Sequence, residues 1–151
     1  MRALMCHELG PAKNLRIDTV DDPSPGPGEV VIDVRAAGLN FPDTLIISGK
    51  YQLQPDLPFV PGAEAAGRIG AVGDGVTDWR VGDRVIASGA HGAFAEKTVK
   101  RADEIIALPD AMDYSTGAGF LAAYGTSYYA LKQRAKLQSG ETLLVLGAAG
   151  G

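Results

Sequence analysis

Glycine and proline recur at short, irregular intervals through the first hundred residues, and this punctuation limits the length of any element the chain can build there. With 20 glycines and nine prolines in 151 residues, long helices are broken before they can pack as a bundle. The glycines keep no period of three, which excludes a collagen-like helix. Between the breaks lie short apolar segments that alternate as strands do. The clearest is Glu29 to Ala37, where Val30, Ile32, Val34 and Ala36 share one face and Val31, Asp33 and Arg35 the other. Pro23, Pro25, Gly26, Pro27 and Gly28 form the turn ahead of it, and Leu15 to Val20 is its expected partner strand. Ala63 to Val72, Asp83 to Ser88, Ala93 to Val99 and Asp103 to Leu108 read as further strands, with Gly67 and Gly70 marking bulges or close backbone approach. Many short strands with such turns predict a compact β barrel or sandwich.

The pattern changes at Asp113. Asp113 or Ser115 can cap a helix running through Ala118 to Ala123. Tyr124-Gly125 is expected to break it, and Thr126 to cap a second helix whose Tyr128, Leu131 and Ala135 share a face. Thr142 to Leu146 is a short continuous apolar run, read as a parallel strand buried on both faces. It leads into Gly147, Ala148, Ala149, Gly150 and Gly151, a small-residue turn of the kind that lets backbone N–H groups approach a pyrophosphate. A flexible tail would have much the same composition. A dinucleotide-binding βαβ unit takes about 30 residues, and only its first strand and turn are expected here. The chain therefore reads as a piece of a longer protein. Its expected domains are residues 1–112 and the start of a second, truncated domain over 113–151.

Charge and composition remove several function classes. Fourteen Lys and Arg against 18 Asp and Glu leave a net charge of −4, which gives no reason to expect nucleic acid or an anionic membrane as partner. No apolar stretch approaches the roughly 20 residues of a membrane span, and the N-terminus shows no signal peptide. The cytoplasm is the default location. A single cysteine, Cys6, excludes an internal disulfide and a four-cysteine zinc site. Cys6, His7 and His91 are the only thiol or imidazole ligands, and none stands beside the polar motifs below, so no metal site is expected. Ser48 and Ser88 lack a nucleophile-elbow context, and His91 in its glycine-flanked turn reads as a surface residue.

Two polar positions stand out. Asn40 and Asp43 follow the best strand directly. Asn40 carries both an amide donor and a carbonyl acceptor, suited to a ring carboxamide or a substrate carbonyl. An Asx turn is the other reading, and local sequence favours the turn. Glu64 is an acid among small apolar residues, which requires a hydrogen bond or an ion pair. A structural bond is the expected role, and proton transfer has no support in the sequence.

Taken together, Ala37-Gly-Leu-Asn-Phe-Pro-Asp43, Ser48-Gly-Lys-Tyr51, Pro61-Gly-Ala-Glu-Ala-Ala-Gly67, Val81-Gly-Asp-Arg-Val85, Phe120-Leu-Ala-Ala-Tyr-Gly-Thr126 and Gly140 to Gly151 resemble the N-terminal part of a medium-chain dehydrogenase/reductase. The resemblance is to its zinc-free quinone oxidoreductase (zeta-crystallin-like) branch and spans nearly the whole chain. It implies a GroES-like, partly open β barrel followed by helices and the first strand of a Rossmann cofactor domain. In the zinc-dependent branch, a cysteine and a histidine ligand stand where this chain has Asn40 and Ala63, so the resemblance implies no zinc.

The resemblance further implies a zinc-independent oxidoreductase that takes NADPH and transfers hydride to quinones or activated alkenes. By position, Asn40 and Tyr51 are the expected catalytic residues. Asn40, Thr126, Gly147, Ala148, Ala149, Gly150 and Gly151 are the expected cofactor contacts. The selector of the NADPH ribose lies beyond this strand and turn. Some relatives carry a tyrosine where this chain has Leu45, and a threonine where it has Ala63, and both departures bear on the acceptor. Relatives are often dimers through the cofactor-domain sheet, so the parent is allowed a homodimer. The piece itself is expected to be inactive. An enoyl reductase acting on acyl thioesters and a non-catalytic GroES-like binding module are the alternatives, separable by substrate length and by dinucleotide affinity.

Overall fold

The computed structural model describes residues 1–148. Seven strands carry the fold: β1 (Arg2–Met5), β2 (Arg16–Thr19), β3 (Glu29–Gly38), β4 (Glu64–Val72), β5 (Arg84–Ser88), β6 (Lys97–Arg101) and β7 (Ile105–Ala107). Five of them form one antiparallel sheet in the order β6-β3-β4-β5-β7, while β1 and β2 form a separate hairpin. The sheets do not close into a barrel. Contrary to the expectation for Leu15 to Val20, β2 pairs with β1 and not with β3. The reason is that both edges of β3 are already taken, by β4 and β6.

The alternation in β3 holds in part, since Val31, expected on the opposite face, is buried as well. Val30 and Ile32 face a core of Ile69, Val85, Ala87 and Ile105, closed by Trp79, whose indole N–H donates to the Ala102 carbonyl at 2.9 Å. The register shifts twice along the β3–β4 pair, between Val31 and Ile32 and between Val34 and Ala36. The second shift carries Ala36 to another cluster, with Ala66, Ile86, Leu108 and Ala118. Gly67 pairs with Val34 at the edge of this shift, and a Cβ there would overlap the Asp33 carbonyl of β3.

Helix α1 (Phe41–Ile47) begins where a turn was expected. Pro42 occupies its first turn, and the Asp43 carboxylate accepts the Asn40 N–H at 2.8 Å, the return half of a capping box. Ile46 and Ile47 then pack on Cys6 and Phe59. Helix α2 (Tyr114–Ala118) is capped by Asp113, whose side chain accepts the Thr116 N–H at 2.7 Å.

Beyond α2 the chain departs from the sequence reading in three ways. Gly125 keeps helical dihedrals (φ −61°, ψ −45°), so the expected break at Tyr124-Gly125 does not occur. Helical structure runs on through Leu121–Gly125, Thr126–Tyr128 and Tyr129–Arg134, much of it in π-type turns. Thr126 is accordingly an interior residue and not an N-cap. Glycine costs a helix only about 1 kcal/mol, which continuous backbone hydrogen bonding can offset. The expected strand over Thr142 to Leu146 is not formed either, and Leu144 and Leu146 are exposed. A parallel strand needs a neighbour to satisfy its N–H and C=O groups, and none of the described strands lies beside it.

Candidate functional site

The C-terminal end of β3, the start of α1 and the helical run after α2 converge on one cleft of about 540 Å³. Asn40, Tyr51 and Thr126, far apart in sequence, all line it. Leu39, Phe41, Ile46 and Leu53 add an apolar wall, and Ala63, Gly89, Ala90, Ala122 and Ala123 keep side chains short on the remaining sides.

Two of the lining residues, Asn40 and Ala122, share a buried carboxylate as partner. Glu64, the first residue of β4, is 1% exposed. Its Oε2 accepts the Asn40 Nδ2 amide at 2.9 Å, and its Oε1 accepts the Ala122 backbone N–H at 2.6 Å. A second acid, Asp43, lies beside it. Its Oδ2 is taken by the Asn40 N–H, while Oδ1 is buried without a hydrogen-bond partner. Burial pushes the Asp43 carboxyl above its ordinary value; the Asn40 and Ala63 N–H groups oppose this, and the nearby Glu64 charge adds to it. Asn40 thus stands between two buried carboxylates, donating from its backbone to one and from its side chain to the other.

The loop that contributes Gly89 and Ala90 is tied down from behind. Lys100 on β6 is buried and donates from Nζ to the His91 carbonyl at 2.9 Å. Burial lowers the Lys100 pKa, and burial together with the Lys100 charge lowers that of His91. Neither this tether nor the Glu64–Ala122 bond had a sequence signal, because each ends on a backbone atom.

The expected pyrophosphate turn is only partly within the described residues. Gly147 has φ +70°, a conformation glycine adopts freely, and Ala148 follows it. The positions assigned to Ala149, Gly150 and Gly151 lie outside the described residues.

Two cofactor types can be tested against these side chains. A metal finds no cage: among the described residues no three His, Cys, Asp or Glu side chains cluster as a metal would require. Cys6 is buried with its thiol on the Glu8 carbonyl, and His7 pairs with Asp18. For a flat ring, the cleft offers Asn40 and Thr126 as polar side chains among small residues such as Ala63, Ala122 and Ala123. Among the described residues no helix is long and apolar enough to cross a membrane.

This combination of an antiparallel β domain, a helical exit and a cleft at their junction is the fold of the N-terminal half of solved oxidoreductases. Residues 26–126 match the family described as the alcohol dehydrogenase GroES-like domain, and the chain belongs to the medium-chain dehydrogenase/reductases that carry it. It is 39% identical to the quinone oxidoreductase of Rattus norvegicus, over 100% of this chain and 46% of the relative. A mycobacterial protein solved in complex with NADPH superposes with a TM-score of 0.93 at 39% identity, covering 100% of this chain and 47% of that one. The enoyl reductase CurK superposes with a TM-score of 0.84 at 32% identity, over 93% and 45% of the two chains. The chain thus spans less than half the length of these relatives.

Proposed function

We propose that this chain supplies the substrate-side half of an NADPH-dependent, zinc-independent oxidoreductase that reduces quinones or activated alkenes. The observation that carries the proposal is the convergence of Asn40, Tyr51 and Thr126 on one cleft. The proposed boundary between a substrate domain and a cofactor domain is residue 112; the helix cap at Asp113 supports it. The parent is a protein of the cytoplasm acting on a small molecule, and the proposal allows it a homodimer.

NADPH, when bound, supplies the hydride. The chain's own groups position and stabilise what receives it. The Asn40 amide binds a carboxamide or a substrate carbonyl, and the Thr126 hydroxyl holds the nicotinamide end of the cleft. Tyr51 borders the acceptor side, where its phenol can donate a hydrogen bond to a carbonyl oxygen as charge develops there. The apolar wall of Leu39, Phe41 and Leu53 excludes water from a flat acceptor. Gly147 and Ala148 stand at the start of the proposed pyrophosphate turn.

The test is NADPH binding by calorimetry and quinone reduction, on these 151 residues and on the full-length protein. Binding and turnover by the full-length protein alone are expected, and absence of both from the full-length protein as well would overturn the proposal in favour of an interaction module. Elemental analysis should find no stoichiometric zinc. The likeness to an enoyl reductase favours a second reading, in which the acceptor is an α,β-unsaturated acyl thioester. A higher kcat/KM for an enoyl thioester than for a simple benzoquinone would select it.

A further inference from the structure

Glu64 joins the two walls of the cleft. One oxygen holds the Asn40 side chain from the α1 side, and the other holds the Ala122 N–H of the helical run that carries Thr126, 58 residues further on. An ionised carboxylate only accepts hydrogen bonds, and both of its bonds here are accepted from donors. This has a consequence for Asn40. A side-chain amide can turn over at little steric cost, since its oxygen and nitrogen have nearly the same size. Opposite an acceptor-only partner it cannot turn without losing its bond, so the nitrogen is directed at Glu64 and the oxygen at the other edge of the group.

We propose that Glu64 is a positioning residue: it sets which edge of the Asn40 amide faces the cleft and fixes the spacing between Asn40 and the Thr126 helix. The inference rests on the role given to Asn40 above and deepens it. The carboxylate is nearly inaccessible, so it acts through Asn40 and Ala122 and not on the substrate. The swap Glu64→Gln isolates the effect. The carbonyl of the substituted side chain can still accept from the Ala122 N–H, but its NH2 then faces Asn40. The bond re-forms only if the Asn40 amide turns over, which reverses donor and acceptor at that position while the packing is kept.

The experiment uses the full-length protein with NADPH and 1,4-benzoquinone as probes. Glu64→Gln should fold, as read by circular dichroism, and lose at least about ten-fold in kcat/KM, the effect of removing one well-placed polar contact. The side-chain NH2 protons of Asn40, assigned by their loss in Asn40→Asp, should exchange slowly in the unmodified protein and faster in Glu64→Gln. A native kcat/KM in a folded Glu64→Gln overturns the inference. Exchange in the unmodified protein as fast as that of a solvent-exposed amide also overturns it, and this reading decides the matter if Glu64→Gln does not fold. If the unmodified protein reduces no quinone, the functional proposal fails by itself, and the change in NH2 exchange between the two proteins decides the positioning role.

Discussion

Gly38 lies directly under the carbonyl of Ala118, so close that a Cβ on Gly38 would sit well inside 3.0 Å of that oxygen and about 3.1 Å from Glu64 Oε2. The last residue of β3 is therefore in backbone contact with the last residue of α2. This approach lets the helical run come down onto the sheet end, where Ala122 reaches Glu64. Gly38→Ala should cost about 1–3 kcal/mol, the usual range for overpacking. Part of that cost should appear as weaker NADPH binding, since the two cleft walls are pushed apart. Thermal melts and calorimetry on the full-length protein would check it, and an unchanged melting temperature would contradict the contact.

Asn40→Ala removes both the proposed ligand contact and the donor to a buried carboxylate. Loss of the donor should destabilise by about 1–3 kcal/mol, leaving the fold intact. In the full-length protein kcat/KM should fall for every quinone tried. An unchanged kcat/KM across several quinones would remove Asn40 from the mechanism.

Asp43 is expected to titrate above the ordinary value of 3.8, because burial disfavours its charge. Between the unfolded and folded values the folded state holds the extra proton. Stability therefore declines as pH rises through that window. Asp43→Asn, which stays neutral, should lack this decline. Melting curves of both proteins through the carboxylate range would show the difference. Asp43→Ala, which loses the capping contact altogether, should cost about 1 kcal/mol at neutral pH.

Asp22 behaves in the opposite sense. Hydrogen bonds from Lys97 and from the N-terminal amine hold its carboxyl down at about 2. The stabilisation is present above the unfolded value of 3.8 and is lost as pH falls through about 2. The Asp22 carboxylate is open to solvent, so the effect is small. Asp22→Asn should lower the melting temperature slightly above about pH 5, where an ordinary carboxyl is ionised, and the two proteins should converge in acid. Carboxyl NMR would give the titration directly.

Much of the strand content was legible. Glu29–Gly38 and Glu64–Val72 stand within a residue of their expected bounds, because period-2 alternation and Gly/Pro turns are local properties. Helix α1 was missed although Asn40, Pro42 and Asp43 spell a capping signal, since Asn and Asp serve turns as readily as helix starts. Tyr124-Gly125 misled for the converse reason: a glycine permits a break without imposing one.

The sequence by itself determined the alternation of short strands, the shift to helix at Asp113, and the presence of a lone acid at Glu64 that had to find partners. Only the tertiary structure decided who those partners are. Glu64 is satisfied by a backbone N–H 58 residues away, and a backbone donor looks the same at every position of a sequence. The cleft follows the same rule. Asn40, Tyr51 and Thr126 meet because β3, α1 and the helical run are folded onto one another, and that proximity depends on close approaches such as Gly38 to Ala118, which no local pattern encodes.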